Sequence, residues 1–442
     1  MEVGFFRTLF SKELKSTALN QMWRLVTGPL LIILLPIFLS EEVQGFWYLM
    51  ISLGAVAAFA DFGFSNILLQ FSAHEFAFLK FDSSFDLDGN EVNLRRLASL
   101  FIFALKWTVV LILILFPITL FVGIFVMGGF TSLGMWTMPW LIYCIGAVLT
   151  LSNGIFLSFF EGCNSVSKVQ AIRLRIALVN TSLVTLGLIM DFGLYALSIS
   201  LLVSSVFGLI NLYLVFKITV NKFFDVARIN RHGWGLEIYP LLRKYIISWT
   251  SGYLIFQLFT PFAFYFFGAV EAGKVGMSIA IFTSIFSISN VWTTSVIPEI
   301  NIAIAKLDFE GLHRIFNKYL IMAVWTYLIG SIIFYFLFFM IKTRYPFMER
   351  FVSLQSLVLL NVCWFAQLIV HNLAIYLRAY KEEPLLVPSI LSALFVVLTT
   401  LIAANYLSED LFFIGFATMF FWFLPWVIIL YRRKVKLASI KL

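Results

Sequence analysis

Charge is scarce in this chain. Only 12% of its 442 residues are Asp, Glu, Lys or Arg, about half the share of a soluble globular domain. With 61% hydrophobic residues, that scarcity excludes a soluble globule. Cysteine is scarcer still. Cys144, Cys163 and Cys363 have no metal-ligand spacing, no disulfide is expected, and they read as buried small hydrophobes. No glycine-rich phosphate loop is present, which argues against direct ATP hydrolysis. Nor can a Ser/His/Asp set be assembled from so few polar residues, so no catalytic centre, metal or cofactor is expected and the chain does not read as an enzyme. No cleavable leader is expected either, because Lys12, Glu13 and Lys15 precede a full-length apolar run.

What is present is apolar length. About twelve stretches of roughly 20 residues, each long enough to cross a bilayer as a helix, fall near 17–39, 46–70, 97–126, 137–160, 172–190, 193–216, 245–267, 274–297, 317–340, 351–377, 385–406 and 411–431. The N-terminus, the even-numbered connections and the C-terminus hold 25 of the 31 basic residues. Basic segments resist translocation, so this asymmetry puts both termini in the cytoplasm. The net charge of +8 follows from those loops and does not imply nucleic acid. The expected fold is an all-α polytopic membrane protein of about 12 transmembrane helices in two six-helix bundles. Residues 1–216 would form the N-terminal bundle and 245–442 the C-terminal bundle with a basic tail. Residues 217–244 would be a cytoplasmic amphipathic connector along the inner leaflet, a tether or a lipid-headgroup site. Pro36 and Gly45 in the first half match Pro261, Gly268 and Gly273 in the second, consistent with a pseudo-repeat. The acidic run Asp86–Glu91 lacks the ligand register of a calcium loop and reads as a solvated turn.

Polar groups inside the spans are costly in hydrocarbon unless they face a partner or a cavity. Arg24 lies sixteen residues before Ser40, and Asp61 sixteen after Gly45. At 1.5 Å per residue both sit roughly 24 Å below the outer surface. Three readings remain open for them: mutual neutralisation, snorkelling of Arg24 to the headgroups, or a cavity where Arg24 meets an anionic substrate and Asp61 holds its side chain. Lys106 either joins that cationic zone or snorkels. Gln367 and His371 lie one turn apart on the tenth span, beside Asn372, and His371 is either a proton-coupling group or a packing residue. Arg173 and Arg175 read as topological anchors.

The segment Phe59-Ala60-Asp61-Phe62-Gly63-Phe64-Ser65, followed by Ser72-Ala73-His74-Glu75, resembles bacterial polysaccharide flippases of the O-antigen and capsule (Wzx) type. Asn20, Arg24 and the six-plus-six organisation resemble the same family, part of the multidrug/oligosaccharidyl-lipid/polysaccharide exporter superfamily. That resemblance implies a V-shaped pair of bundles working by alternating access in the bacterial inner membrane, coupled to an ion gradient. The implied cargo is an undecaprenyl-pyrophosphate-linked oligosaccharide, and the implied partners are membrane lipids and the polymerase and chain-length machinery of O-antigen and lipopolysaccharide biosynthesis. Transport residues carried over are Arg24, Asp61 and Lys106. The C-terminal half departs from the pattern by offering few deep cations. A multidrug exporter of organic cations is the alternative. A membrane glycan polymerase or ligase is a third reading, against which the short outer loops speak.

Overall fold

The computed structural model describes residues 12–59, 61, 63–82, 86–129, 134–227, 232–305, 308–342, 349–380, 384–407 and 409–440. It is helical apart from one short hairpin. The chain opens with α1 (Lys12–Phe38), α2 (Glu41–Phe59) and α3 (Phe64–Phe76), then β1 (Leu79–Phe81) and β2 (Leu87–Gly89). Next come α4 (Glu91–Gly128), α5 (Thr137–Gly162), α6 (Val166–Ile189) and α7 (Leu194–Ala227). The second half contains α8 (Gly235–Phe256), α9 (Phe259–Phe267), α10 (Ala269–Ser295) and α11 (Ile297–Ala305). It ends with α12 (Phe309–Lys342), α13 (Leu354–Arg378), α14 (Leu386–Tyr406) and α15 (Ile414–Ile440). Among the described residues, nine helices are long and apolar enough to cross a membrane. With α1 and the broken pairs α2–α3 and α8–α9, they make up the twelve spans of a multi-pass membrane protein.

The helices separate into two compact units whose borders do not follow chain order. The first comprises Met1–Thr27 and Met50–Thr250, the second Gly28–Leu49 and Ser251–Leu442. The stretch 28–49, the end of α1 and the start of α2, therefore packs with the C-terminal helices. Close approach makes this feasible. A Cβ on Gly45 would lie 1.9 Å from the Ala269 carbonyl oxygen, so only glycine lets α2 meet α10 there. Polar bonds secure the same corner. The Arg350 guanidinium donates to the Leu39 carbonyl at 2.6 Å and to Gln44 Oε1 at 3.1 Å, and Gln44 Nε2 donates to the Gly273 carbonyl at 3.3 Å. Burial lowers the pKa of Arg350 from its ordinary value, and the charge of Glu41 opposes that shift.

In the first unit, α5 packs against α3 and α7, and α6 packs on α7. The core is aromatic: Phe160 stacks on Phe216 at 3.9 Å, and Phe101 meets Phe159 and Phe223. The described parts of the segment 217–244 are largely helical. α7 bends at Phe216 (φ −112°, ψ 21°) and continues to Ala227, and α8 starts at Gly235 with Trp234, Ile238 and Leu242 buried in the first-unit core. Trp234 donates to Ser99 Oγ at 2.9 Å while Arg96 lies over its ring at 4.8 Å. Arg96 in turn pairs with the buried Glu75 at 2.8 Å.

The acidic run is more ordered than a solvated turn. Asp86 and Leu87 belong to the hairpin, where Leu79 and Leu87 alternate inward into the core. Asn90 caps α4 by accepting from the Val92 amide at 2.8 Å. Lys222 ties the hairpin to α7 through Asp86 at 2.9 Å. All three cysteines are buried.

Candidate functional site

The second span is interrupted where its one carboxylate stands. Gly63 takes φ +73°, a left-handed conformation that stops the helix at little cost only for glycine. Its missing side chain also matters, since a Cβ would lie 2.9 Å from Trp249 Nε1. Asp61 restarts the helix as α3. Its carbonyl accepts from the Phe64 amide at 2.7 Å, and its carboxylate accepts from the Ser65 amide at 3.2 Å and from Ser65 Oγ at 3.0 Å. A carboxylate over the first turn of a helix is favoured by the exposed amides and the helix dipole.

Asp61 is 8% exposed, and it faces a cavity of about 310 Å³ inside the first unit. Ser65, Tyr143, Thr150, Gly54 and Gly154 share the lining, and no Lys or Arg contributes to it among the described residues. Tyr143 rests on Trp140 with ring centroids 5.7 Å apart. Thr150 bonds Ser205 Oγ at 2.6 Å, holding α5 to α7. Nothing lies within 4 Å of the position a Cβ would take on Gly154, so this residue borders open space. A space of this size holds roughly ten waters and is at the lower end of ligand pockets. It is a mostly apolar chamber with a single acidic group, suited to a cation that carries apolar surface.

The other sequence-derived candidates lie elsewhere. Arg24 is in α1, but its side chain lies outside the described residues, and with it the expected pairing with Asp61. Lys106 is exposed on the surface of α4 and does not line the Asp61 cavity. Gln367 and His371 belong to the second unit, both half-buried on α13. The His371 ring meets Phe286 edge-on at 5.5 Å, a packing contact. Their neighbour Asn372 is fully buried, donates to the Leu368 carbonyl at 2.7 Å, and leaves Oδ1 without a partner. Arg173 forms an ion pair with Glu161 at 2.8 Å, and Glu161 continues through Gln170 to Asn20 on α1.

Tyr143, Thr150 and Gly154 are site residues that sequence reasoning missed. A usable signal exists for two of them, because Gly146, Thr150 and Gly154 repeat every four residues as a small-residue stripe on α5. No protein-family profile and no curated protein matches the chain. Solved structures do. The chain is similar to the MATE multidrug transporter DinF-BH, solved with a bound ligand, with TM-score 0.63 and 13% identity over 96% of this chain and 95% of that one. It is also similar to the MATE transporter VcmN of Vibrio cholerae, with TM-score 0.59 and 11% identity over 97% of this chain and 98% of that one. A MOP-superfamily transporter of Pyrococcus furiosus, whose description reports reversed pocket polarity suggesting a different function, gives TM-score 0.54 and 14% identity over 97% of this chain and 94% of that one. The fold is that of a twelve-helix exporter. At these identities the likeness covers architecture alone.

Proposed function

We propose that this protein is a secondary transporter of the bacterial cytoplasmic membrane that exports amphipathic organic cations in exchange for protons or another small cation at Asp61. The observation that carries this reading is a buried carboxylate lining a chamber with no basic lining residue among those described. Proton and cargo would compete for that one charge, so loading one favours release of the other, which is the thermodynamic requirement for antiport. Ser65 and the α3 N-terminus position the carboxylate and leave its cavity-facing side free to bind. Tyr143 adds an aromatic wall of the kind organic cations prefer. Similarity to multidrug transporters supports this reading over one built on a cationic cavity. In proteoliposomes loaded with a fluorescent organic cation, an imposed proton gradient should drive efflux, and Asp61→Asn should abolish it while the protein inserts normally. Efflux at the wild-type rate in Asp61→Asn would remove Asp61 from the mechanism.

A second reading is favoured by the segments 59–65 and 72–75: a flippase for lipid-linked oligosaccharides. In that case Asp61 would bind the coupling cation while the anionic head travels along another surface. Deletion of the gene would then accumulate lipid-linked repeat units in the inner leaflet, which the organic-cation reading does not require.

A further inference from the structure

Most basic side chains near the ends of the first-unit spans have partners. Arg96 is paired with Glu75, Arg173 with Glu161 and Lys222 with Asp86, and Arg175 hydrogen-bonds Asn211 at 3.2 Å. Lys106 on α4 and Arg243 on α8 differ. Both are exposed and neither has an acidic partner among the described residues. Their helices run parallel and in register here: Trp234 bonds Ser99, and further along Tyr239 meets Phe103 at 6.2 Å and Trp107 at 5.9 Å. Lys106 adjoins Trp107, and Arg243 is one turn beyond Tyr239. The two cations therefore lie at nearly one level on either side of an aromatic seam.

Beyond each cation, its helix continues apolar and exposed. On α4, Val110 is 44% and Leu113 69% exposed, and on α8 Ile247 is 46% exposed. The basic-residue asymmetry makes the beginnings of α4 and α8 cytoplasmic. The surface is then an apolar double track for acyl chains, headed at the inner boundary by two uncompensated positive charges. An anion placed between two exposed cations is attracted by both. We propose that Lys106 and Arg243 form a cradle for the headgroup of an anionic inner-leaflet phospholipid, its acyl chains lying along α4 and α8. The seam supports the glycerol region through Tyr239, an interfacial residue by nature, and Arg243 supplies a planar fork for phosphate oxygens.

The purified full chain, titrated with phosphatidylglycerol or phosphatidylcholine under native mass spectrometry, tests this. The wild type should retain phosphatidylglycerol in preference to phosphatidylcholine. Lys106→Gln combined with Arg243→Gln should weaken phosphatidylglycerol binding roughly 30-fold, about fivefold for each cation. Lys217→Gln, which removes a single exposed cation on α7, should leave it unchanged. Exchanging the pair as Lys106→Arg and Arg243→Lys should restore binding, which separates charge from loss of fold. Equal binding by wild type and the double Gln variant overturns the proposal, as does equal retention of the two lipids. Displacement of phosphatidylglycerol by a polyprenyl diphosphate at lower concentration overturns the phospholipid assignment in favour of a lipid-linked cargo.

Discussion

Two helix breaks, one between α2 and α3 inside a span and one between α10 and α11 at the end of a span, arise for different reasons. The first break is made by a left-handed Gly63 and an acidic residue whose oxygens occupy the next helix's first turn. It opens onto a cavity. The second break falls at Val296, whose amide bonds the Thr293 carbonyl, and Pro298 comes two residues later. Proline lacks the N–H of a continuing helix, and the acidic residue that follows it, Glu299 in the first turn of α11, is exposed. A break that places a charge next to empty space can do chemistry, whereas one sealed by backbone bonds only bends a helix. The pair shows how a helix break becomes a site where a buried charge adjoins empty space and a joint where it does not.

That contrast can be broken most directly at Asp61. Asp61→Asn keeps the capping oxygen and removes the charge, so efflux should fall at least roughly a hundredfold with little change in thermal midpoint. A large loss of stability instead would make Asp61 a structural cap. Gly154→Leu tests the empty space. A Cβ there meets no atom within 4 Å, so the side chain has room to extend into the cavity, and transport should drop roughly tenfold while stability holds or rises slightly, since filling a void is favourable. Gly63→Ala should cost about 1–3 kcal/mol in an unfolding assay, because the new Cβ both strains a positive φ and meets Trp249.

Arg350→Gln probes the corner that keeps residues 28–49 with the second unit. It removes charge-assisted bonds to the Leu39 carbonyl and Gln44, and should cost about 1.5–3 kcal/mol. Thiol labelling of a Ser40→Cys reporter should become faster in that variant. The smallest effect is expected from Pro298→Ala, which leaves the second break without a chemical consequence: transport should stay within about twofold of wild type. A strong transport defect there would erase the distinction between the two breaks.

Asp61 shows why part of the site was legible in advance. One carboxylate in an apolar stretch is expensive in hydrocarbon, so its functional weight could be inferred from composition around it. Gly154, Thr150 and Tyr143 carry no such cost and gave no comparable signal. They matter because α5 lies across from Asp61, a fact of packing. The same division holds for the fold. The expected second span, 46–70, appears as two helices, because hydropathy averages over a left-handed glycine. The expected third span, 97–126, begins at Glu91, because the Asn90 side chain caps the helix there, ahead of the hydrophobic run. The acidic run became a hairpin because Leu79 and Leu87 had a core to enter.

Apolar length and the uneven placement of Lys and Arg suffice to specify a multi-spanning helical chain and a topology, since both are one-dimensional costs set by each segment's own transfer into lipid. Which helices share a unit, why residues 28–49 lie with the C-terminal half, and where empty space adjoins a charge depend on contacts between residues far apart in the chain. Those arrangements come from close packing, where a single absent Cβ at Gly45 decides whether two helices touch.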